Sequence, residues 1–498
     1  MPPTLEGYRL FRFDNSYARL PERFYASQHP TAVFAPRLIQ LNVQLADAIG
    51  LDPVALGSPG GIQILAGNEI AAGSEPIAMA YAGHQFGNFV PQLGDGRAIL
   101  LGEIIGPDGK RRDIQLKGSG PTSFSRRGDG RLALGPALRE YLISEAFAAL
   151  GIPTTRSLAV VATGDMVMRE TPLPGAILTR VADSHIRVGT FQYFAARSDH
   201  EGVKALADYV IERHYPLAAD TPNRYRTLLD SVIERQAKLI AQWQLVGFIH
   251  GVMNTDNMSI SGETIDYGPC AFMDAYDPAQ AYSFIDQMGR YSYGNQPYIA
   301  QWDLARFAET LLPLLADTKE GGLQHAQEAI DGFTQKFDAF YIAGMRRKLG
   351  LTGDMEGDRA IGQELLDCMA ASKADFTLTF RRLCDVSCDA GGEGPFVALF
   401  TDTPAIKAWL QKWRHRLPAD GGRDEVRRLA MRSVNPAFIP RNHRVEEALL
   451  AAVAENDFTP FERLLQVLSQ PFDDQPAHHA YGEPPRPEQI VQHTFCGT

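Results

Sequence analysis

Residues 250–268 of this chain read HGVMNTDNMSISGETIDYG, and this stretch carries the strongest indication of the fold. Asn257 is followed nine residues later by Asp266, which opens the tripeptide Asp-Tyr-Gly. Mg²⁺ accepts a few protein oxygens of these two types and fills its other positions with water and phosphate. The pair therefore predicts a divalent-metal site. A chance Asp-Tyr-Gly is the alternative, and the long helical pattern immediately upstream argues against it.

The spacing of these residues is similar to that in the catalytic segment of protein kinases, with one difference. In kinases the pattern H-R-D-x-x-x-x-N places a catalytic aspartate five residues before the metal-binding Asn. The corresponding residue here is Val252, whose side chain can neither accept a proton nor orient a hydroxyl group. Asp256, directly before Asn257, is the remaining nearby acid and is our candidate general base. The alternative role for Asp256 is a loop cap.

Two features upstream indicate a phosphate-binding site. In QLGDGRAIL (92–100), Gly94 and Gly96 flank an acid and precede Arg97, and glycines let backbone N–H groups approach phosphate oxygens. Lys117 ends the strand pattern DIQLK, and a lysine on the strand after a glycine loop binds ATP phosphates in kinases. Taken singly, a plain hairpin turn and an exposed strand-end lysine are the alternatives.

A lysine in this position is normally held by a glutamate of the following helix. GPALREYLISEAFAALG (135–151) has a helical pattern, with a proline near its start and a glycine just past its end. Glu140 lies in the first half of this helix and is the preferred partner of Lys117. Glu145 remains an alternative, and a solvated helix face is an alternative for both acids.

A second GDGR occurs at 128–131, so the sequence contains two copies of a turn that can bind phosphate. Asp129 and Gly130 come shortly before the predicted helix, where free N–H groups and the helix dipole favour an anion. Arg180 ends the strand pattern AILTR and Arg187 follows soon after. Arginine binds phosphate through two parallel hydrogen bonds and keeps its charge. For either arginine seen alone, a surface position is the preferred interpretation.

Short strands and glycine turns dominate residues 80–195, and helical spacing dominates beyond 200. The predicted strands are RAILLGEII (97–105), RRDIQLK (111–117) and GAILTRVA (175–182), with a hairpin in SLAVVATGDMVMRE (157–170). A helical patch ending at Gly50 is predicted in RLIQLNVQLADAIG (37–50), and a long helix in 223–251.

This order predicts an α+β fold in which a β-rich N-terminal lobe precedes a larger helical C-terminal lobe. The predicted parts are an N-terminal extension packing on the lobes (1–80), the N-lobe (81–198), the helical C-lobe with the catalytic segment (199–470) and a Pro-rich tail (471–498). The tail composition is typical of an extended or partly disordered segment.

Composition excludes several classes of function. A net charge of −11 argues against non-specific nucleic-acid binding, which needs a basic face. Five cysteines without a CxxC pair support neither a zinc ribbon nor a disulfide framework, and Cys384 and Cys388, although spaced for one helix face, are predicted to be buried thiols. The start of the chain lacks the apolar core of a signal peptide, and eighteen consecutive apolar residues occur nowhere. We therefore expect a cytoplasmic protein without a membrane segment, and a monomer.

Several long blocks together resemble the selenoprotein O family, the pseudokinase-like protein adenylyltransferases. The blocks are YAGHQFGNFVPQLGDGRAILLGE, QLKGSGPTSFSRRGDGRLALGPALREYLISEA, HGVMNTDNMSISGETIDYGPCAFMD and NPAFIPRNHRVEEAL. The resemblance spans most of the chain. It implies a protein-kinase-like bilobal fold that transfers AMP from ATP to protein hydroxyl groups, with ATP bound in a flipped orientation. Valine at position 252 is then a trait of the family.

The resemblance also implies a role for each candidate residue. Asp256 resembles the proton acceptor, Asn257 and Asp266 the ligands of Mg²⁺ or Mn²⁺, and Glu140 the acid that orients Lys117. The residues that resemble nucleotide contacts are Gly94, Gly96, Arg97, Lys117, Asp129, Gly130, Arg180, Arg187 and Asp266. The implied partners are proteins that carry Ser, Thr or Tyr at the modified position.

Two other functions stay open at this point. A kinase-like phosphotransferase would share the Asn and Asp spacing, but Val252 stands where such enzymes keep their aspartate. A non-catalytic ATP-binding scaffold would have little need for both phosphate-binding residues and a pair of metal ligands. Cys496 lies at a position where some relatives carry selenocysteine, and its redox role is left open.

Overall fold

The strand patterns of the first half of the chain form one large sheet. The computed structural model describes residues 10–388, 391–417 and 424–494. Within these ranges the chain has a mixed α/β fold whose main sheet is antiparallel. The strands are β1 Tyr25–Ser27, β2 Arg37–Leu41, β3 Ile77–Met79, β4 Gly83–Gln85, β5 Asn88–Val90, β6 Ala98–Ile105, β7 Arg111–Lys117, β8 Leu132–Ala133, β9 Arg156–Met168, β10 Pro172–Ala182, β11 Phe248–Ile249 and β12 Ala271–Phe272.

The order of strands in the main sheet brings two of the predicted cations together. The order is β1-β3-β6-β7-β10-β9-β2, with β8 paired to β10 at the side. Leu178 of β10 lies opposite Lys117, and Arg180 lies opposite Gln115. Because side chains two positions apart on a strand share a face, Lys117 and Arg180 project from the same face of the sheet.

Helices dominate the rest of the described chain. They are α1 Val43–Ala48, α2 Pro53–Leu56, α3 Pro59–Leu65, α4 Leu134–Ala149, α5 Val188–Ala195, α6 His200–His214, α7 Arg224–Val246, α8 Gln296–Leu315, α9 Lys319–Leu349, α10 Asp358–Ser372, α11 Phe376–Leu383, α12 Gly394–Val397, α13 Thr403–Arg416, α14 Asp424–Arg432, α15 Asn442–Ala454 and α16 Thr459–Leu468.

The sheet separates two apolar cores because alternate residues of each strand face opposite sides. Leu178 of β10 packs in the core that contains α4, α7 and α8, whereas its neighbour Ile177 packs in the core that contains α1, α2 and α3. Helix α4 therefore lies on the same side of the sheet as the Lys117 and Arg180 face. A third core joins the later helices, from α9 to α14.

The predicted helical patch at 37–50 was wrong in its first part. Residues Arg37–Leu41 form β2, which pairs with β9, and only Val43–Ala48 are helical. Asn42 caps this helix by accepting a hydrogen bond from the Leu45 amide at 3.0 Å. Pairing with a long neighbouring strand outweighed the helical spacing of the apolar residues.

The predicted hairpin at 157–170 was also wrong. Arg156–Met168 form the single strand β9, and the chain reverses only after it, to enter β10. Strand β9 pairs with β2 up to Ala162 and with β10 on both sides of the expected turn, although the pairing with β10 is interrupted between Ala162 and Met166. Gly164 lies within the strand with φ +78°, and the interruption of the pairing with β10 falls at this residue.

The other predicted elements are present with small shifts at their ends. The strands at 97–105, 111–117 and 175–182 correspond to β6, β7 and β10, and the helix at 135–151 corresponds to α4. The long helix α7 ends at Val246 because Gly247 adopts a left-handed conformation with φ +72°. The next residues form β11, which leads directly into residues 250–268.

Strands β1, β2 and β3 come from residues before 80 and belong to the same sheet as the later strands. The four-part division of the chain stays a prediction. The described part of the Pro-rich tail contains two short 3-10 turns, Pro476–Tyr481 and Pro487–Gln489, and Thr494 forms a parallel bridge with Ser283. Cys496 lies outside the described residues.

The two cysteines spaced for one helix face do not share one. Helix α11 ends at Leu383, so Cys384 follows its last residue and Cys388 lies beyond it. Cys384 is buried as predicted, whereas Cys388 is partly exposed and donates a hydrogen bond from its thiol to Asp424 at 2.8 Å. Among the helices of the described ranges, none combines the length and the apolar character that a membrane span requires.

Candidate functional site

The predicted lysine–glutamate contact is present and buried. Lys117 at the end of β7 places its Nζ atom 2.6 Å from Oε2 of Glu140 on α4. Glu145 lies elsewhere on that helix and forms an ion pair with Arg156 at 2.6 Å. Glu140 rather than Glu145 is therefore the acid that contacts Lys117. Helix geometry explains why only one of the two glutamates contacts Lys117, because residues five apart on an α-helix project from different faces.

Arg180 joins this ion pair to the Asp-Tyr-Gly segment. Its Nε atom donates to Glu140 at 2.6 Å, and its Nη2 atom donates to Asp266 at 2.5 Å. The Arg180 side chain is 2% exposed; its bond to Glu140 is buried, whereas its bond to Asp266 is partly buried because the Asp266 side chain is 23% exposed. A guanidinium group has donors on two edges and can serve two carboxylates at once. One side chain of the sheet thereby connects helix α4 with the loop after β11.

Arg187 approaches Asp266 from the other side. Its Nη2 atom lies 3.1 Å from Asp266 Oδ2, and its Nη1 atom lies 3.3 Å from Asp95 Oδ1. The guanidinium group also stands over the ring of Tyr81 at 4.5 Å from its centre. Asp266 itself has φ +61°, a backbone conformation that is uncommon for residues other than glycine and that occurs often at functional sites.

The charges of this cluster set the protonation of its acids. Burial alone would raise the pKa of Asp266, but the charges of Arg180, Arg187 and Lys117 outweigh it and hold this pKa well below its usual value. Burial likewise opposes ionisation of Glu140, and Arg180 and Lys117 lower its pKa below the ordinary value. Both acids are therefore ionised near neutral pH. Burial and the charge of Arg180 lower the pKa of Lys117.

The glycine turn lies beside this cluster. Gly118 donates its N–H to the carbonyl of Arg97 at 2.7 Å, next to Lys117, and the charge of Arg97 acts on the pKa of Lys117. Gly94 has φ +69°, and a Cβ atom at this position would overlap the ring of Phe124. The glycines therefore allow a close approach between the turn and the loop that contains Phe124.

The second GDGR turn has its own partners in the structure. Asp129 is exposed and forms an ion pair with Arg169 at 2.7 Å, and it accepts a hydrogen bond from the Arg131 amide at 2.9 Å. Gly130 packs against the backbone of Gly120. Strand β8 separates this turn from the first residue of α4. A nucleotide contact by Asp129 and Gly130 stays a prediction.

Residues 250–268, the predicted catalytic segment, place Asp256 in an unusual environment. Asp256 is 8% exposed, and burial raises its pKa to about 6. Its Oδ2 atom accepts a hydrogen bond from Gln85 at 3.3 Å, while its buried Oδ1 atom has no hydrogen-bond partner within the described ranges. A buried carboxylate with a free oxygen can take up a proton or a cation. The neighbouring Asn257 donates its side-chain N–H to the carbonyl of Val252 at 2.9 Å.

Sequence reasoning missed three residues of this site. Asp95 was noted only as the acid between two glycines, yet it is buried and contacts Arg187. Tyr81 and Gln85 carry no motif that distinguishes them, although both lie in the block YAGHQFGNFVPQLGDGR. Only the folding of this block over the catalytic segment shows that they belong to the site.

A lysine and two arginines gathered beside a glycine turn, around a carboxylate of the metal-binding type, form an arrangement typical of proteins that bind nucleotide phosphates. The fold and the site thus define a mixed α/β protein of that class. The chain belongs to the family described as protein adenylyltransferase SelO, whose family model matches residues 9–469. The resemblance drawn from the motifs is confirmed.

Bacterial proteins are similar to this chain over almost their whole length. A protein nucleotidyltransferase YdiU of Bradyrhizobium sp. strain BTAi1 is 62% identical over 488 residues, covering 98% of this chain and 99% of the relative. Proteins with the same name from Methylorubrum populi and Rhizobium johnstonii are each 61% identical, covering 98% of this chain and 99% and 97% of the relatives.

Proposed function

We propose that this protein transfers AMP from ATP to the hydroxyl group of a Ser, Thr or Tyr residue of another protein and releases pyrophosphate. Membership of the family supports the class of reaction. The observation that carries the assignment of the site is the buried network in which Arg180 contacts both Glu140 and Asp266, next to Lys117. The proposal includes a kinase-like bilobal arrangement, with an N-lobe at 81–198 and a C-lobe at 199–470.

The cations of the site suit a triphosphate. Lys117, Arg180 and Arg187 are each nearly buried and face the acids Glu140 and Asp266. Fixed cations in a dry site stabilise the charge of phosphate groups more strongly than the same cations in water. We assign to these three side chains the phosphates of ATP, held so that the α-phosphate faces the acceptor.

We assign the remaining nucleotide contacts to residues of the two GDGR turns. Arg97 lies beside Lys117, and Gly94 and Gly96 belong to the turn that leads to it; we assign all three residues to the phosphates or the sugar of ATP. Asp129 and Gly130 complete the set as a proposal, since Asp129 is exposed and its ion pair with Arg169 lies at the surface, where a nucleotide can displace it.

Asn257 and Asp266 would hold the metal ion, with Asp256 close by. The fit rests on the donor set: Asn257 uses its side-chain nitrogen to bond to Val252, which leaves its amide oxygen for an ion, and Asp266 is held ionised by its cationic neighbours. Hard oxygens of this kind suit Mg²⁺ or Mn²⁺. When bound, such an ion would neutralise phosphate charge that builds up during transfer. Asp266 is shared with Arg180 and Arg187 here, so triphosphate and metal would enter together.

Asp256 is assigned as the proton acceptor. The hydroxyl oxygen of the acceptor forms a bond to the α-phosphorus of ATP, the bond from that phosphorus to the bridging oxygen of the β-phosphate breaks, and pyrophosphate leaves. The hydroxyl proton passes to a carboxylate oxygen of Asp256. Its pKa of about 6 leaves most of this group ionised at neutral pH and closer to the pKa expected of an effective base than an ordinary aspartate.

A labelling experiment tests the proposed reaction. The purified protein is incubated with Mg²⁺ or Mn²⁺, a mixture of bacterial proteins and ATP labelled at either the α- or the γ-phosphate. Retention of the α-label alone on protein is the expected result. Retention of the γ-label alone would instead indicate a phosphotransferase, and binding of ATP with neither label retained would favour a scaffold. We further propose that the protein acts as a monomer in the cytoplasm.

A further inference from the structure

The small hairpin formed by β4 and β5 lies on the catalytic segment. The backbone N–H of His84 donates to Thr255 Oγ1 at 2.7 Å, and the backbone N–H of Phe86 donates to Asn254 Oδ1 at 3.1 Å. Between these two bonds, the side-chain amide of Gln85 reaches Asp256. Three consecutive hairpin residues thus contact three consecutive residues of the catalytic segment.

The hairpin is fixed by neighbours that do not belong to the phosphate cluster. The side-chain amide of Gln192 on α5 lies 2.8 Å from His84 Nδ1, and its oxygen accepts a hydrogen bond from Thr255 at 2.6 Å. The ring of Phe86 packs against Tyr291 with 5.1 Å between ring centres. These contacts hold the hairpin on the segment even without the bond from Gln85.

We propose that Gln85 is a positioning residue that fixes the orientation of the Asp256 carboxylate for proton transfer. The inference rests on the proposed function, because it gives Gln85 a role in the reaction assigned above. Gln85 donates to Oδ2 of Asp256 at 3.3 Å, so Oδ1 is the oxygen that faces away from it and carries no hydrogen bond within the part of the chain described.

Gly83 shows how closely the hairpin approaches this oxygen. A Cβ atom at Gly83 would overlap Oδ1 of Asp256, so a larger residue would displace the carboxylate. Gln85 and the backbone of Gly83 thus fix the two oxygens of the carboxylate, Oδ2 by a hydrogen bond and Oδ1 by close packing. The position of the base therefore depends on residues of the hairpin that lie far from it in sequence.

Kinetics of Gln85 variants test the proposal. In Gln85→Leu we expect kcat for AMP transfer to fall at least about tenfold, the usual effect of losing a hydrogen bond to a charged group, with KM for ATP changed less than about twofold. Gln85→Glu places a second carboxylate against Asp256 and should lower kcat further, although its shape is closer to glutamine. Asn88→Ala, a change at the tip of the same hairpin, is the matched control and should leave kcat unchanged.

A purely structural role gives a different result. Melting temperature, KM for ATP and kcat would then change together, and kcat of Gln85→Leu would be no higher than kcat of Gln85→Glu. An unchanged kcat in Gln85→Leu, with wild-type transfer of AMP intact, would overturn the inference while leaving the proposed function in place.

A second measurement does not depend on transfer. The Tm shifts of Gln85→Leu, Asp256→Ala and the double variant form a cycle, and the double shift should differ from the sum because the two side chains interact. In the control cycle, Asn88→Ala replaces Gln85→Leu. The Tm shift of the Asn88→Ala, Asp256→Ala double variant should then equal the sum of the two single shifts. Additive shifts for Gln85 and Asp256 would refute the contact, even if the wild-type protein retained no α-label.

Discussion

The guanidinium group of Arg180 lies 2.5 Å from the carboxylate of Glu140, and both residues are 2% exposed. The same guanidinium group bonds to Asp266 at 2.5 Å. A single side chain of the central sheet thus ties helix α4 to the Asp-Tyr-Gly segment. Buried ion pairs cost much free energy when only one partner is removed, so these three residues should respond to substitution as one unit.

Glu140→Gln removes the charge shared by Lys117 and Arg180 with little change of shape. We expect AMP transfer to fall by at least about a hundredfold and the free energy of unfolding to fall by about 3–5 kcal/mol, since two buried cations lose a counter-ion. Transfer assays and chemical unfolding measure the two effects. Glu145→Gln is the control: its partner is Arg156, so transfer should stay within about threefold of the wild-type rate. Equal losses of transfer in both variants would contradict the assignment of Glu140.

Arg180→Lys keeps the positive charge but cannot bond to two carboxylates on separate edges. We expect at least about a tenfold loss of kcat/KM for ATP, because the planar geometry of the guanidinium group is lost. Steady-state kinetics with varied ATP give the value. Arg112→Lys, at the exposed pair with Asp108, provides a matched control in the same sheet. If lysine supported full activity at position 180, charge alone would be sufficient there.

Asp256→Ala should abolish transfer while leaving ATP binding intact. Removing a general base typically lowers the rate by about 10²–10⁴-fold. Binding should be maintained because Lys117, Arg180 and Arg187 contact other acids and do not depend on this carboxylate for their positions. Calorimetry with ATP and single-turnover transfer assays separate the two properties. A variant that retained the wild-type transfer rate would show that another group accepts the proton.

Lys348 makes stability depend on pH. Its ammonium group lies over the ring of Phe380 at 4.1 Å from the ring centre, and burial lowers its pKa to about 7. In the unfolded chain this pKa is about 10.4. Between these two pH values the unfolded state binds more protons, so the contribution of Lys348 to the free energy of unfolding rises with pH.

Lys348→Met should therefore raise Tm relative to the wild-type protein at pH 7, with the advantage shrinking as pH approaches 10. Thermal unfolding between pH 6 and pH 10 checks this dependence. Lys412→Met changes an exposed lysine paired with Glu364 and should leave the pH dependence of Tm unaltered. A constant difference between Lys348→Met and wild type at every pH would show that the amine is not titrated in this range.

Local sequence patterns were sufficient to predict an element that forms its own backbone hydrogen bonds, as a helix does, or that pairs with a strand close to it in the chain. Helix α4 and strands β6 and β7 have the bounds expected from spacing, proline and glycine, within two residues. The patterns failed at β2, where pairing with β9, more than a hundred residues away, decided the conformation. They also failed at β9, whose second half pairs with the following strand β10 and not with its own first half. Apolar spacing does not report which segment a strand pairs with.

The sequence by itself determined the family and the types of residue in the site. Both can be read from motifs, and a motif is defined by the order of its residues and not by their positions in space. It also identified Lys117, Glu140 and Asp266 as candidates from spacing alone. Only the tertiary structure decided that Arg180 bonds to two acids, that Asp95 holds Arg187, and that the hairpin with Gln85 lies against Asp256. Such contacts depend on the register of strands and on the distance between side chains remote in sequence, which no local pattern contains.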